Sequence, residues 1–152
     1  MSFPESVSAR RELLAPGHAA GVDEAMIREL VHRFYARVRA DAVLGPIFDR
    51  IIGDGWDEHL AKLCDFWSSV TLMTGRYHGR PMPAHFRIEG LDATHFGRWL
   101  ALFRLTAHEV CPPEAAALFV QRAETIAESF QLGLAAARGE LPPISRRAAE
   151  PR

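Results

Sequence analysis

The stretch Asp23-Glu24-Ala25-Met26-Ile27-Arg28-Glu29-Leu30-Val31-His32-Arg33-Phe34-Tyr35-Ala36-Arg37-Val38 decides the fold class. Met26, Leu30, Phe34 and Val38 fall four apart, with Ile27, Val31 and Tyr35 beside them, so one broad face of a helix is apolar. Asp23 stands where a side-chain oxygen can accept from the first free backbone N–H groups, which marks the start of that helix. Downstream, Leu44-Gly45-Pro46-Ile47-Phe48 forces a corner, and a second helix is expected from about Trp56 to Thr74 with His59, Leu63, Phe66, Trp67 and Val70 on one face. Gly75–Pro83 reads as a loop, and the segment around Ala84-His85-Phe86 is too short to be a stable helix alone. Asp92 caps a further helix with the stripe Phe96, Trp99, Leu100, Phe103 and Val110. Pro112-Pro113 ends it and opens the last one, whose face holds Phe119, Ala123, Ile126, Phe130 and Leu134 to about Arg138. No alternating run of strand length stands out, so the expectation is an all-α domain.

Composition narrows the class. The chain has 152 residues, 48% hydrophobic and 24% charged, and a formal net charge of −1. A chain near the commonest domain size buries roughly 70% of its unfolded surface and needs no covalent staples. The expected organisation is a flexible, weakly ordered N-terminal extension over 1–21, one domain over 22–138 and a flexible Pro/Arg-rich tail over 139–152. Near-neutral charge argues against a nucleic-acid binder. No run of about 18 apolar residues argues for a membrane span, and Met1–Arg11 carries no apolar signal-peptide core, so the expected location is cytoplasmic.

Most enzyme chemistries lack their motifs. There is no Walker or Rossmann glycine loop, no HExxH, no Gly-x-Ser-x-Gly and no Cys-x-x-Cys. Cys64 and Cys111 read as spectators. The seven histidines form no pair at i, i+3 or i, i+4, which speaks against a helical zinc or di-iron site. A haem iron is different, because it takes one proximal protein ligand and the rest of its coordination from the porphyrin. Tyr35, His59 and Trp99 each sit on an apolar face, and each alone reads as a core residue with its polar tip satisfied locally. The residues by themselves support a helical domain with room for a buried cofactor.

Their order carries more. Phe34-Tyr35-Ala36-Arg37-Val38-Arg39-Ala40-Asp41 with Leu44-Gly45-Pro46-Ile47-Phe48, then Trp56-Asp57-Glu58-His59, Asp65-Phe66-Trp67-Ser68-Ser69, Gly75-Arg76-Tyr77-His78-Gly79-Arg80-Pro81 with His85, and His95-Phe96-Gly97-Arg98-Trp99-Leu100 together resemble group III truncated haemoglobins. The similarity runs from about Val22 to Arg138. It implies a shortened globin fold, two helices over two around haem b (iron protoporphyrin IX), with the proximal segment largely loop. His85 matches the proximal iron ligand. Tyr35 matches the distal tyrosine, His59 the residue at the ligand entrance and Trp99 the distal tryptophan, with Phe34 beside them. Phe48, Leu63, Phe66 and Trp67 would wall the haem, and Lys62, Arg76 and Tyr77 compete to hold its propionates.

The resemblance also implies O2, NO, CO or peroxide as ligands. Haem burial of several hundred Å2 contributes on the order of 10 kcal/mol before association costs. Three functions stay open at this point. The first is a ligand-binding haem protein. The second is a haem enzyme, peroxidase-like or an NO dioxygenase, drawing electrons from a separate reductase because no flavin or nicotinamide motif is present. The third is a haem-free globin-like regulatory domain.

Overall fold

A computed structural model describes residues 14–79, 91–137 and 139. Among the described residues six helices follow in order: α1 Pro16–Ala19, α2 Glu24–Ala40, α3 Leu44–Ile52, α4 Trp56–Leu72, α5 Ala93–Val110 and α6 Pro113–Ala137. There is no strand among the described residues, and none of their helices is long and apolar enough to cross a membrane.

Local chemistry explains where the helices begin. Asp23 accepts from the Met26 amide at 2.8 Å and starts α2. Asp92 accepts from the Thr94 amide at 2.9 Å, while its own amide donates to His95 Nδ1 at 3.2 Å, which closes a capping box on α5. Pro113 opens α6, where its missing N–H costs nothing. The 44–48 corner is a full helix rather than a bare bend. Gly45 and Pro46 occupy its first turn, where backbone N–H groups lack intrahelical partners in any case.

Packing begins earlier than Val22. Ala15 is buried, and Gly17 of α1 lies so close to the Thr71 carbonyl that an added Cβ would collide with it. The last part of the stretch expected as an N-terminal extension is therefore docked against α4, and Pro16 at the first helical position helped to form it. The remainder of that extension, the segment around His85 and the tail beyond Gly139 lie outside the described residues.

The pairs α2 with α4 and α5 with α6 make the two-over-two sandwich of a shortened globin fold. Phe34, Phe103 and Phe119 are its largest fully buried side chains. Phe34 from α2 meets Phe103 from α5 edge-on at 5.0 Å, and Trp67 from α4 stacks on Phe103 at 5.2 Å and meets Phe119 from α6 at 5.6 Å. Such aromatic contacts add to the area term and tie all four long helices at one place. Gly45 brings α3 onto the end of α2, since a Cβ there would overlap the Arg39 carbonyl oxygen. Asp41, between these helices, accepts from Val43 and Leu44 amides at 3.0 and 2.9 Å and from Arg98 Nε of α5 at 2.6 Å. One carboxylate thus fixes α3 against α5, next to Trp99.

Candidate functional site

A cavity of about 550 Å3 opens between the two helix layers. Its walls come from every long helix, because the apolar stripes that should meet at the centre of the sandwich stand apart here. Phe48 of α3 and Leu63, Phe66 and Trp67 of α4 face it from one layer, and Phe96 of α5 with Ile126 and Phe130 of α6 from the other. Tyr35, His59 and Trp99 set polar tips into this apolar surface.

The Tyr35 hydroxyl is the most constrained of them. Tyr35 is 6% exposed, and burial pushes its phenol up to about 12, opposed by a hydrogen bond from Trp99. An indole N–H can only donate, so Tyr35 Oη is the acceptor and keeps its own proton to donate elsewhere. The phenol therefore stays protonated through the whole neutral range. Trp99 is held in turn by stacking on Phe103 at 5.5 Å. Tyr35 and Trp99 are thus neighbours at the cavity wall, and Trp99 acts on the acidity of the Tyr35 phenol.

His59 comes from the first turn of α4. Its ring stands edge-on to Tyr35 at 5.9 Å and to Trp56 at 5.6 Å. Phe34 does not reach the cavity wall. It is 1% exposed and packs behind the site, 4.7 Å from the Tyr35 ring and 5.3 Å from Trp99. Its neighbours in the chain made it a candidate, but its register on α2 aims it at Phe103.

Lys62, Arg76 and Tyr77 all line the cavity. Lys62 pairs with Glu58 at 3.5 Å on an exposed face, an i,i+4 pair of small worth. Arg76 pairs with Glu24 at 3.3 Å, and Glu24 also accepts from Ser68 Oγ at 2.7 Å. Ser68 is fully buried and its hydroxyl contacts that of Thr74 at 2.7 Å, while the Tyr77 amide donates to Ser69 Oγ at 2.9 Å. These bonds fasten the loop after α4 to the start of α2. Tyr77 meets Phe66 edge-on at 5.2 Å, and burial raises its phenol. His85 lies outside the described residues, so its relation to the cavity is not described.

Several wall residues had no role in the sequence reading. Leu44, Leu91, Phe96, Ile126, Ala127 and Phe130 line the cavity, as do Asp65, His78, Gly79 and His95. Phe96, Ile126 and Phe130 carry the periodic signal of core residues, and a cavity lining has the same signal. His95 was legible only as a member of the α5 opening motif. Cys64 and Cys111 do not line the cavity, and burial raises both thiols, Cys111 to about 11. That leaves them protonated and weakly nucleophilic at neutral pH. Among the described residues no group of three or more His, Cys, Asp or Glu could hold a metal ion.

No family model matches the sequence. The chain is 36% identical over 113 residues to the group 3 truncated hemoglobin ctb of Campylobacter jejuni, a match covering 72% of this chain and 89% of that relative. It also superposes on the crystal structure of a group III truncated hemoglobin from Campylobacter jejuni, with a TM-score of 0.71, 36% identity, and coverage of 74% of this chain and 91% of the other. Identity at this level, sustained over nearly the whole of the relative and accompanied by the same helical sandwich, shows that the chain belongs to the group III truncated haemoglobins.

Proposed function

We propose that the chain holds haem b in the cavity between its helix layers and retains a diatomic ligand there, O2 foremost, with NO and CO as further ligands. The observation that carries this reading is a large apolar cavity into which one buried, proton-bearing phenol is built. A volume of about 550 Å3 falls within the usual range of cofactor pockets, ~300–1,000 Å3, and apolar walls with few polar groups are their common composition. The residues present fit the group. Phe48, Leu63, Phe66 and Trp67 would flank its apolar faces, Lys62 and Arg76 would meet its carboxylates, and His85 would hold the iron. No Cys-x-x-C-H motif occurs and neither cysteine lines the cavity, so the attachment is non-covalent, as in a b-type haem.

When bound, haem supplies an iron centre that takes up a small gaseous ligand. This chain's own residues do the rest. Tyr35 presents a hydroxyl that burial keeps protonated, hence a hydrogen-bond donor at any working pH. The Trp99 indole, beside Tyr35 at the cavity wall, donates toward that hydroxyl and polarises it. His59 covers the side of the cavity next to Tyr35. Apolar walls exclude water and strengthen each of these contacts. A donor held this firmly favours slow release, which suits ligand handling better than delivery.

The test is an absorption spectrum of the purified protein in ferric, ferrous and CO-treated forms, together with a pyridine haemochrome assay of His85→Ala. A Soret band in the wild type and loss of most haem from the variant are expected. Absence of a Soret band after haem is added, or full haem occupancy in His85→Ala, would overturn the reading.

A further inference from the structure

The imidazole of His59 has a wall behind it that belongs to three helices. Trp56 is the first residue of α4, and Gly55 before it offers no side-chain cap. The indole itself makes the attachment. Trp56 is 5% exposed, and its Nε1–H donates to Asp49 Oδ1 of α3 at 3.0 Å. Asp49 pairs with Arg39 Nε from the last turn of α2 at 3.3 Å, and the Arg39 guanidinium lies over the Trp56 ring, 4.6 Å from its centroid. The ring thus has a hydrogen bond at its edge and a cation on its face.

On its other side the same ring meets His59 edge-on at 5.6 Å and Tyr35 at 6.1 Å. Residues three apart on a helix share a face, so Trp56 and His59 are neighbours by register. With Tyr35 at 5.9 Å, the three rings form a mutually touching triangle at the cavity wall, and the imidazole rests against the other two. A shift of the indole therefore moves one of the two surfaces that hold the imidazole in place. Asp49 and Arg39 themselves do not line the cavity. Their ion pair is about half exposed on both sides and contributes little alone, so the indole hydrogen bond is the anchor.

We infer that Asp49 and Trp56 are positioning residues for His59, a brace that keeps the imidazole beside Tyr35 and so sets how readily a ligand enters. This rests on the haem-ligand reading above. The experiment compares CO association by flash photolysis in haem-loaded wild type, Trp56→Phe, Asp49→Ala, His59→Ala and the double variant Asp49→Ala with His59→Ala. Trp56→Phe keeps an aromatic ring and removes the anchoring N–H together with part of the indole. Both Trp56→Phe and Asp49→Ala are expected to speed association about three- to tenfold, the factor that corresponds to one hydrogen bond of ordinary strength.

That acceleration should vanish when His59 is already alanine, because the brace then has nothing to position. Unchanged association in both single variants overturns the inference. So does an equal acceleration in the His59→Ala background, which would mean a general loosening. A second readout needs no ligand. Nitrogen-15 spectra of the purified protein should show the Trp56 indole proton losing its exchange protection in Asp49→Ala, with a shift of the His59 ring signals. Unmoved His59 signals would overturn the brace. Failure to take up haem would overturn only the underlying haem reading, and the ring signals would still decide the brace.

Discussion

Replacing either member of the Tyr35–Trp99 pair tests how the distal donors are wired. Tyr35→Phe deletes the hydroxyl and leaves the ring. Hydrogen bonds to groups carrying charge contribute about 1.5–3 kcal/mol, so its loss should raise the O2 dissociation rate roughly 10- to 150-fold. Trp99→Phe deletes the N–H that donates to Tyr35 Oη, along with part of the indole, and keeps a ring to stack on Phe103. Its effect reaches the ligand through the Tyr35 hydroxyl. Cooperative strengthening along a hydrogen-bond chain is about 10–30% per bond, or roughly 0.2–0.9 kcal/mol of the Tyr35 contribution. That corresponds to about 1.3- to 5-fold in rate. Stopped-flow displacement of O2 by CO reads both variants. The expected result is a strong asymmetry, with Tyr35→Phe well ahead. A Trp99→Phe effect equal to or larger than that of Tyr35→Phe would refute this wiring and make the indole a direct donor to the ligand.

Two further outcomes concern the frame of the site. Gly45→Ala places a Cβ against the Arg39 carbonyl, so α3 must shift, and a loss of about 1–3 kcal/mol is expected in urea denaturation. Asp41 is held at about 2, below its ordinary 3.8, chiefly by the hydrogen bond from Arg98. A depressed carboxyl contributes stability that is complete above pH 3.8 and is lost as pH falls toward 2. Wild type should therefore lose stability through that window, and Asp41→Asn should show a shallower acid dependence there when unfolding is followed by circular dichroism.

The helices were legible in the sequence because their signals are local. Asp23 and Asp92 cap α2 and α5, and Pro112-Pro113 separates α5 from α6. The 3.6-residue apolar periods need no knowledge of what they face. Two elements were under-read for the same reason. α1 is only four residues long and is held by its close approach to Thr71, a tertiary contact. α3 carries glycine and proline in its first turn, whose punctuation resembles a corner until the Arg39 carbonyl shows why glycine is needed there.

Apolar periods and caps specify an all-α chain, and the order of the motifs specifies a family. The sequence also marked Tyr35, His59 and Trp99 as polar tips on apolar faces. It could not separate core from cavity, since Phe96, Ile126 and Phe130 show the same periodicity whether they meet another side chain or a space for a ligand. Nor could it assign hydrogen-bond direction or rank neighbours. Helix packing brings Trp99 beside Tyr35 at one cavity wall, turns Phe34 away from the cavity, pairs Arg76 with Glu24 and ties Trp56 to Asp49. The reason is physical: helix periodicity is written within a few residues, whereas a site is written in the distances between helices.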